Sequence, residues 1–77
     1  MESTIPTMAD LFRQLGLPGD DDSIDYFVKR HRPLVANTAL SDAAFWTEAQ
    51  SRFLSEEVAL DADWAEVVDR LDVMLRA

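Results

Sequence analysis

All three prolines and both glycines of this 77-residue chain fall within its first 33 positions, at Pro6, Gly16, Pro18, Gly19 and Pro33. Proline stops a helix by removing a donor and crowding the preceding turn, and glycine weakens it. Only short helices fit between these breaks, whereas the chain after Pro33 is free to run in long ones. The expected fold class is all-α, one domain over residues 1–77. It is a small bundle of about four helices at roughly 7–15, 21–32, 48–60 and 64–76, with an irregular connector at 33–41.

Local chemistry supports each of these helices. Thr7 with Asp10 three residues later forms a capping box. Met8, Leu11, Phe12 and Leu15 then recur on one helical face. Gly16 suits the left-handed closing position, and Pro18 prevents continuation. The second helix opens on Asp20-Asp21-Asp22-Ser23 and closes on Lys29-Arg30-His31-Arg32, the charge order that the helix macrodipole favours. Its inward stripe is Ile24, Phe27, Val28 and His31. In the connector, Asn37 and Thr38 are the turn residues, and Leu34 and Leu40 pin the segment to the core, with a short turn over residues 41–45. Thr47 and Gln50 make a second capping box, and Ala49, Phe53, Leu54 and Leu60 are the apolar positions that follow. The last helix carries the cleanest stripe, Trp64, Val67, Val68, Leu71, Met74 and Leu75. Glu66–Arg70 and Asp72–Arg76 are expected as i,i+4 pairs on its wet side.

Trp46, Phe53, Leu60, Val67 and Met74 are spaced by seven, so residues 47–76 also fit one unbroken helix about 45 Å long. That form would leave its stripe bare in a monomer and imply an intertwined dimer. The broken form is preferred because Asp61 and Asp63 offer caps, with Asp63 and Glu66 as a third capping box.

Composition excludes several function classes. The chain has no cysteine and one histidine, so disulfides, thiolate chemistry and multi-histidine zinc sites are ruled out. Fifteen acidic against seven basic residues give a net charge of −8, which repels phosphate backbones and anionic lipid, so neither nucleic acid nor membrane is the expected partner. Met1 to Pro6 lacks the basic and apolar regions of a secretory signal, and the longest apolar run, Ala43-Ala44-Phe45-Trp46, is far too short to span a bilayer. A cytoplasmic location is expected. The Asp20-Asp21-Asp22 run fails the calcium-loop pattern, since position six is Asp25 and position twelve is His31; helix capping explains it more simply. No nucleophile elbow or phosphate-binding glycine loop is present, so no catalytic, cofactor-binding or metal residue is assigned and the chain is expected not to be an enzyme.

Two features remain as candidate partner-binding residues. Lys29, Arg30, His31 and Arg32 hold the only concentrated positive charge, which suits an acidic partner or another copy's acidic face, although dipole complementation alone accounts for them. Trp46 is a candidate surface anchor, against the simpler reading that both it and Trp64 fill the core, a reading that is firmer for Trp64.

Leu11-Phe12-Arg13-Gln14-Leu15-Gly16-Leu17-Pro18, Phe27 with His31-Arg32-Pro33-Leu34, Phe45-Trp46-Thr47 with Gln50 and Phe53-Leu54, and Asp61-Ala62-Asp63-Trp64-Ala65 together resemble a small family found mainly in proteobacteria, catalogued as domain of unknown function 2789. The resemblance covers nearly the whole chain. The family commonly has proline where this chain has Glu48, and both residues suit a first helical position. It implies a stand-alone cytoplasmic protein and brings no activity, ligand or catalytic residue with it. The expected function is a non-enzymatic, acidic helical module that binds an unidentified protein or itself as a homodimer. The alternatives are a carrier of a small apolar ligand, and an acidic decoy for a basic nucleic-acid-binding protein.

Overall fold

Among the described residues the chain forms α1 (Met8–Gln14), α2 (Asp21–His31), a single 3-10 turn (Leu40–Asp42), α3 (48–60) and α4 (Ala62–Arg76), with no strand. The structure is a computed structural model and describes residues 6–77. Met1 to Ile5, most of the segment read above for a secretory signal, lies outside the described residues.

The helix starts follow the capping chemistry of the sequence. The Thr7 hydroxyl accepts from the Asp10 amide at 3.1 Å, and the Asp10 carboxylate accepts from the Thr7 amide at 2.9 Å, so two orphan donors at the end of α1 are satisfied reciprocally. Thr47 and Gln50 repeat the device at α3, and the Gln50 amide also donates to the Leu15 carbonyl at 2.8 Å, tying α3 to the end of α1. Asp20 caps α2 by accepting from the Ser23 amide, and hydrogen bonding from the Ser23 side chain first, then from its amide, holds the Asp20 carboxyl below the usual aspartate range. The triple aspartate is thus a helix start. Arg32, extended as a residue before proline must be, ends α2.

α3 departs from the regular period. Its middle, Phe53–Glu57, is a π-helical turn, which holds one residue more than an α turn and so sets the following residues back by about 100°. Phe53 and Leu54 both face inward, Leu54 buried and Phe53 edge to face with Trp64 at 5.5 Å. Leu60, expected on the same stripe, is instead 84% exposed. Ala49, also expected inward, is exposed. Trp64 is half-buried.

The break between α3 and α4 is a single residue, Asp61, in an extended conformation (φ −137°, ψ 111°). The broken form therefore holds, but the cap is not the expected one. Asp61 accepts from the Asp63 amide at 2.9 Å, so α4 starts at Ala62 and Asp63 lies in its first turn, and the expected Asp63–Glu66 capping box is not formed. Asp61 has the extended backbone that an N-cap requires, whereas Asp63 is the second residue of the helix, where a side chain no longer caps.

The buried side chains form one cluster centred on α4, where Leu71 and Leu75 are fully buried and Val67 nearly so. α1 packs on them through Leu11 and Phe12, and α2 through Ile24 and Val28. The connector is fastened rather than merely draped: Leu34 is buried and its amide donates to the Leu75 carbonyl at 2.7 Å. Arg76 does the rest. Its guanidinium pairs with Asp72 at 2.7 Å and donates to the carbonyls of Val35 at 3.0 Å and Thr38 at 2.7 Å. The Asp72–Arg76 pair is therefore part-buried against the connector, not on the wet side, and Glu66–Arg70 does not form an ion pair among the described residues.

Two stability measurements follow. Leu71→Ala deletes a fully buried side chain and is expected to cost about 2–5 kcal/mol in urea unfolding, which approaches the whole stability of so small a domain; an unchanged midpoint would show that α4 does not pack as described. Asp61→Ala is expected to cost about 0.5–2 kcal/mol through the lost cap, with Asp63→Ala clearly milder. The reverse order would return the cap to Asp63.

Candidate interaction site

The α1–α2 turn builds a concave surface. Gly16 adopts φ +78°, the left-handed conformation that lets the chain leave α1 without strain, and the Leu17 amide then donates back to the Phe12 carbonyl at 2.8 Å. Gly19 packs directly on α1, where a Cβ would stand 2.9 Å from the Ala9 carbonyl oxygen. These two glycines hold Leu17 and Pro18 as one wall of a groove. Its floor is Phe12 and Phe27, edge to face at 5.3 Å. Tyr26, 65% exposed, forms the outer wall, and Asp22 and Ser23 close one end. The groove encloses about 360 Å³, room for a large apolar side chain with a hydrogen-bonding rim.

The four basic-end residues of α2 do not act as a single patch. Lys29 lies 3.5 Å from Asp25, both side chains exposed. Arg30 leans over the groove's outer wall, its guanidinium donating weakly to the Tyr26 hydroxyl at 3.5 Å. Arg32 is exposed at the helix end. His31 turns inward, stacked on Phe45 with centroids 4.2 Å apart and against Phe27 at 4.4 Å. Its far side borders a second hollow of about 330 Å³ with Pro33, Val35, Asp42 and Ala44.

Trp46 is not a surface anchor. It is only 8% exposed, its indole N–H donates to the Leu40 carbonyl at 2.8 Å, and its ring stacks with Phe27 at 5.5 Å. The turn at Leu40–Asp42 delivers that carbonyl, so the polar end of the indole is satisfied inside the core. Both tryptophans thus lie in or against the core, Trp46 more deeply than Trp64, although the sequence makes the core reading the firmer one for Trp64. The residue that sequence reasoning missed is Tyr26. It lies off the inward stripe of Ile24, Phe27, Val28 and His31, and an aromatic side chain on the otherwise charged face of a helix was the available signal.

No group of three or more histidines and carboxylates stands close enough to hold a metal ion among the described residues. No helix among them is long and apolar enough to cross a membrane.

The sequence profile described as Protein of unknown function (DUF2789) matches residues 1–75. The chain belongs to this family. No curated protein and no solved structure matches it significantly. The DUF2789 match takes in the α1–α2 turn, the aromatic cluster around His31 and most of α4, so the groove and its supports all lie within the family-defining region.

His31 gives a direct probe of this region. Burial first, and the neighbouring Arg30 charge second, lower its pKa below the ordinary 6.5. A histidine more acidic in the folded state than in the unfolded one contributes stability while neutral. That contribution is complete above about pH 6.5 and is lost as pH falls through the lowered folded value. The urea midpoint is expected to drop between about pH 7.5 and 5, and His31→Phe, which keeps the ring stacking, is expected to flatten that drop. Asp10 and Asp20 titrate below 3.8 and lie outside this window. An equal drop in wild type and variant would show that the imidazole is not the linked group.

Proposed function

We propose that this protein is a non-catalytic binding module that docks another polypeptide in the α1–α2 groove. The observation that carries the reading is the groove itself: a half-buried Phe27, backed by the fully buried Phe12, beside a largely exposed Tyr26. A small-molecule site typically buries most of its ligand. Here one wall is mainly in solvent, so a side chain presented by a second polypeptide, which brings its own cover, suits the groove better than a free small molecule. Tyrosine and arginine, the two residues on the outer rim, are the types that most often dominate protein interfaces. The lack of cysteine and the net charge of −8 suit a cytoplasmic setting and a partner other than nucleic acid.

A photo-reactive phenylalanine analogue placed at Tyr26 tests the proposal in cells. Discrete polypeptide adducts are expected from position 26 and none from the same analogue at Glu66, on the exposed side of α4. The reading is overturned if position 26 gives no adduct, or if native mass spectrometry of the fresh protein shows a stoichiometric small molecule that Leu17→Glu expels. The second result would make the groove a carrier site.

A further inference from the structure

Resting on the reading of the groove as a polypeptide-docking surface, we infer that its occupant is a second copy of this chain, paired antiparallel through α2 about a twofold axis at Tyr26. The outward ridge of α2 runs Asp22, Tyr26, Arg30 at i, i+4, i+8, all three exposed. Its two ends carry opposite charge, and both lie about 6 Å along the helix axis from Tyr26. When two such ridges are laid antiparallel about Tyr26, Asp22 of each copy faces Arg30 of the other and the two tyrosines meet at the axis. A twofold interface requires one patch to be complementary to itself, and this ridge satisfies the requirement in both charge and spacing.

Two further observations select these residues. Among the described residues Asp22 and Arg30 take part in no ion pair, whereas Lys29 is matched with Asp25 and Arg76 with Asp72 within the chain. Arg32 and Arg70 are likewise without an ion pair, but of these three bases only Arg30 lies on the Tyr26 ridge, so it is the one that twofold pairing would join to Asp22. Beside the ridge, the groove of Phe12, Leu17, Pro18 and Phe27 offers about 360 Å³ of apolar space, into which the partner's Tyr26 ring fits with its hydroxyl at the Ser23 and Asp22 end. The macrodipoles of the paired helices also oppose each other, a small favourable term. A standard interface takes about 800 Å² from each partner, about a sixth of this chain's 5102 Å². A contact centred on one helix of 11 residues belongs at the small end of that range.

Sedimentation velocity on the full chain, from about 1 μM to 1 mM, reads the association directly, with circular dichroism as the check on folding. Wild type is expected to dimerise, and Y26A to stay monomeric while folded. The single reversals D22R and R30D each set like charges against each other at both ends of the interface and are expected to weaken association about tenfold or more. The double variant D22R/R30D restores opposite charges across the axis and is expected to recover most of the lost affinity. Within one chain no such rescue arises, because residues 22 and 30 are two turns apart and are not neighbours on the helix. The inference is overturned if wild type is monomeric throughout, if the single reversals leave a dimer unchanged, or if the double variant associates no better than the singles. Should wild type be monomeric while position 26 still cross-links to a different polypeptide, only the second-copy inference falls. Should it be monomeric with no cross-link at all, the docking reading falls with it.

Discussion

The structure depends on a single buried stripe, Val67, Leu71 and Leu75 on α4, because α1 and α2 pack on it, while the 3-10 turn reaches the core through α3. A chain of this length with no disulfide has one core to draw on, and burial of apolar surface there must offset the conformational entropy of ordering it. α1 and α2 are too short to be stable alone in water. They persist because Leu11, Phe12, Ile24 and Val28 are covered by α4. The connector, which has no regular ladder of its own, is held by Arg76 and by the Leu75 carbonyl at the end of the same helix.

The groove is a by-product of this arrangement. Packing α1 and α2 on α4 leaves their opposite edges apart, and the Gly16–Gly19 turn fills only one side of the gap. Phe27 is the shared piece: it touches Phe12 in the groove floor, Trp46 in the core and His31 at the end of α2. The His31 stacking and the groove floor therefore share one ring, Phe27.

Belonging to a family without an assigned activity leaves the chemistry of the surface as the guide to function. That surface is acidic overall, yet α2 reverses sign along its length, acidic at its start and basic at its end. Within one chain this pattern is simply what the helix dipole favours. The same order is self-complementary when two such helices are laid antiparallel.

Much of the fold was legible without coordinates, because the signals that decide it act over three or four residues. Thr7 with Asp10, Thr47 with Gln50, the aspartates before Ser23, Gly16 and Pro33 mark where helices begin and end through local hydrogen bonds and backbone restriction, and the four-helix order follows from them. What only the tertiary structure decided was the direction in which particular side chains point. The π turn at Phe53–Glu57 put Leu60 into solvent. The Leu40 carbonyl drew the Trp46 indole into the core, and the carbonyls of the connector took Arg76 off the wet face. Tyr26 became a groove wall only once α1 had been folded against α2. Each of these outcomes depends on groups distant along the chain or on a shift in helical phase, and a periodic reading of neighbouring residues contains neither.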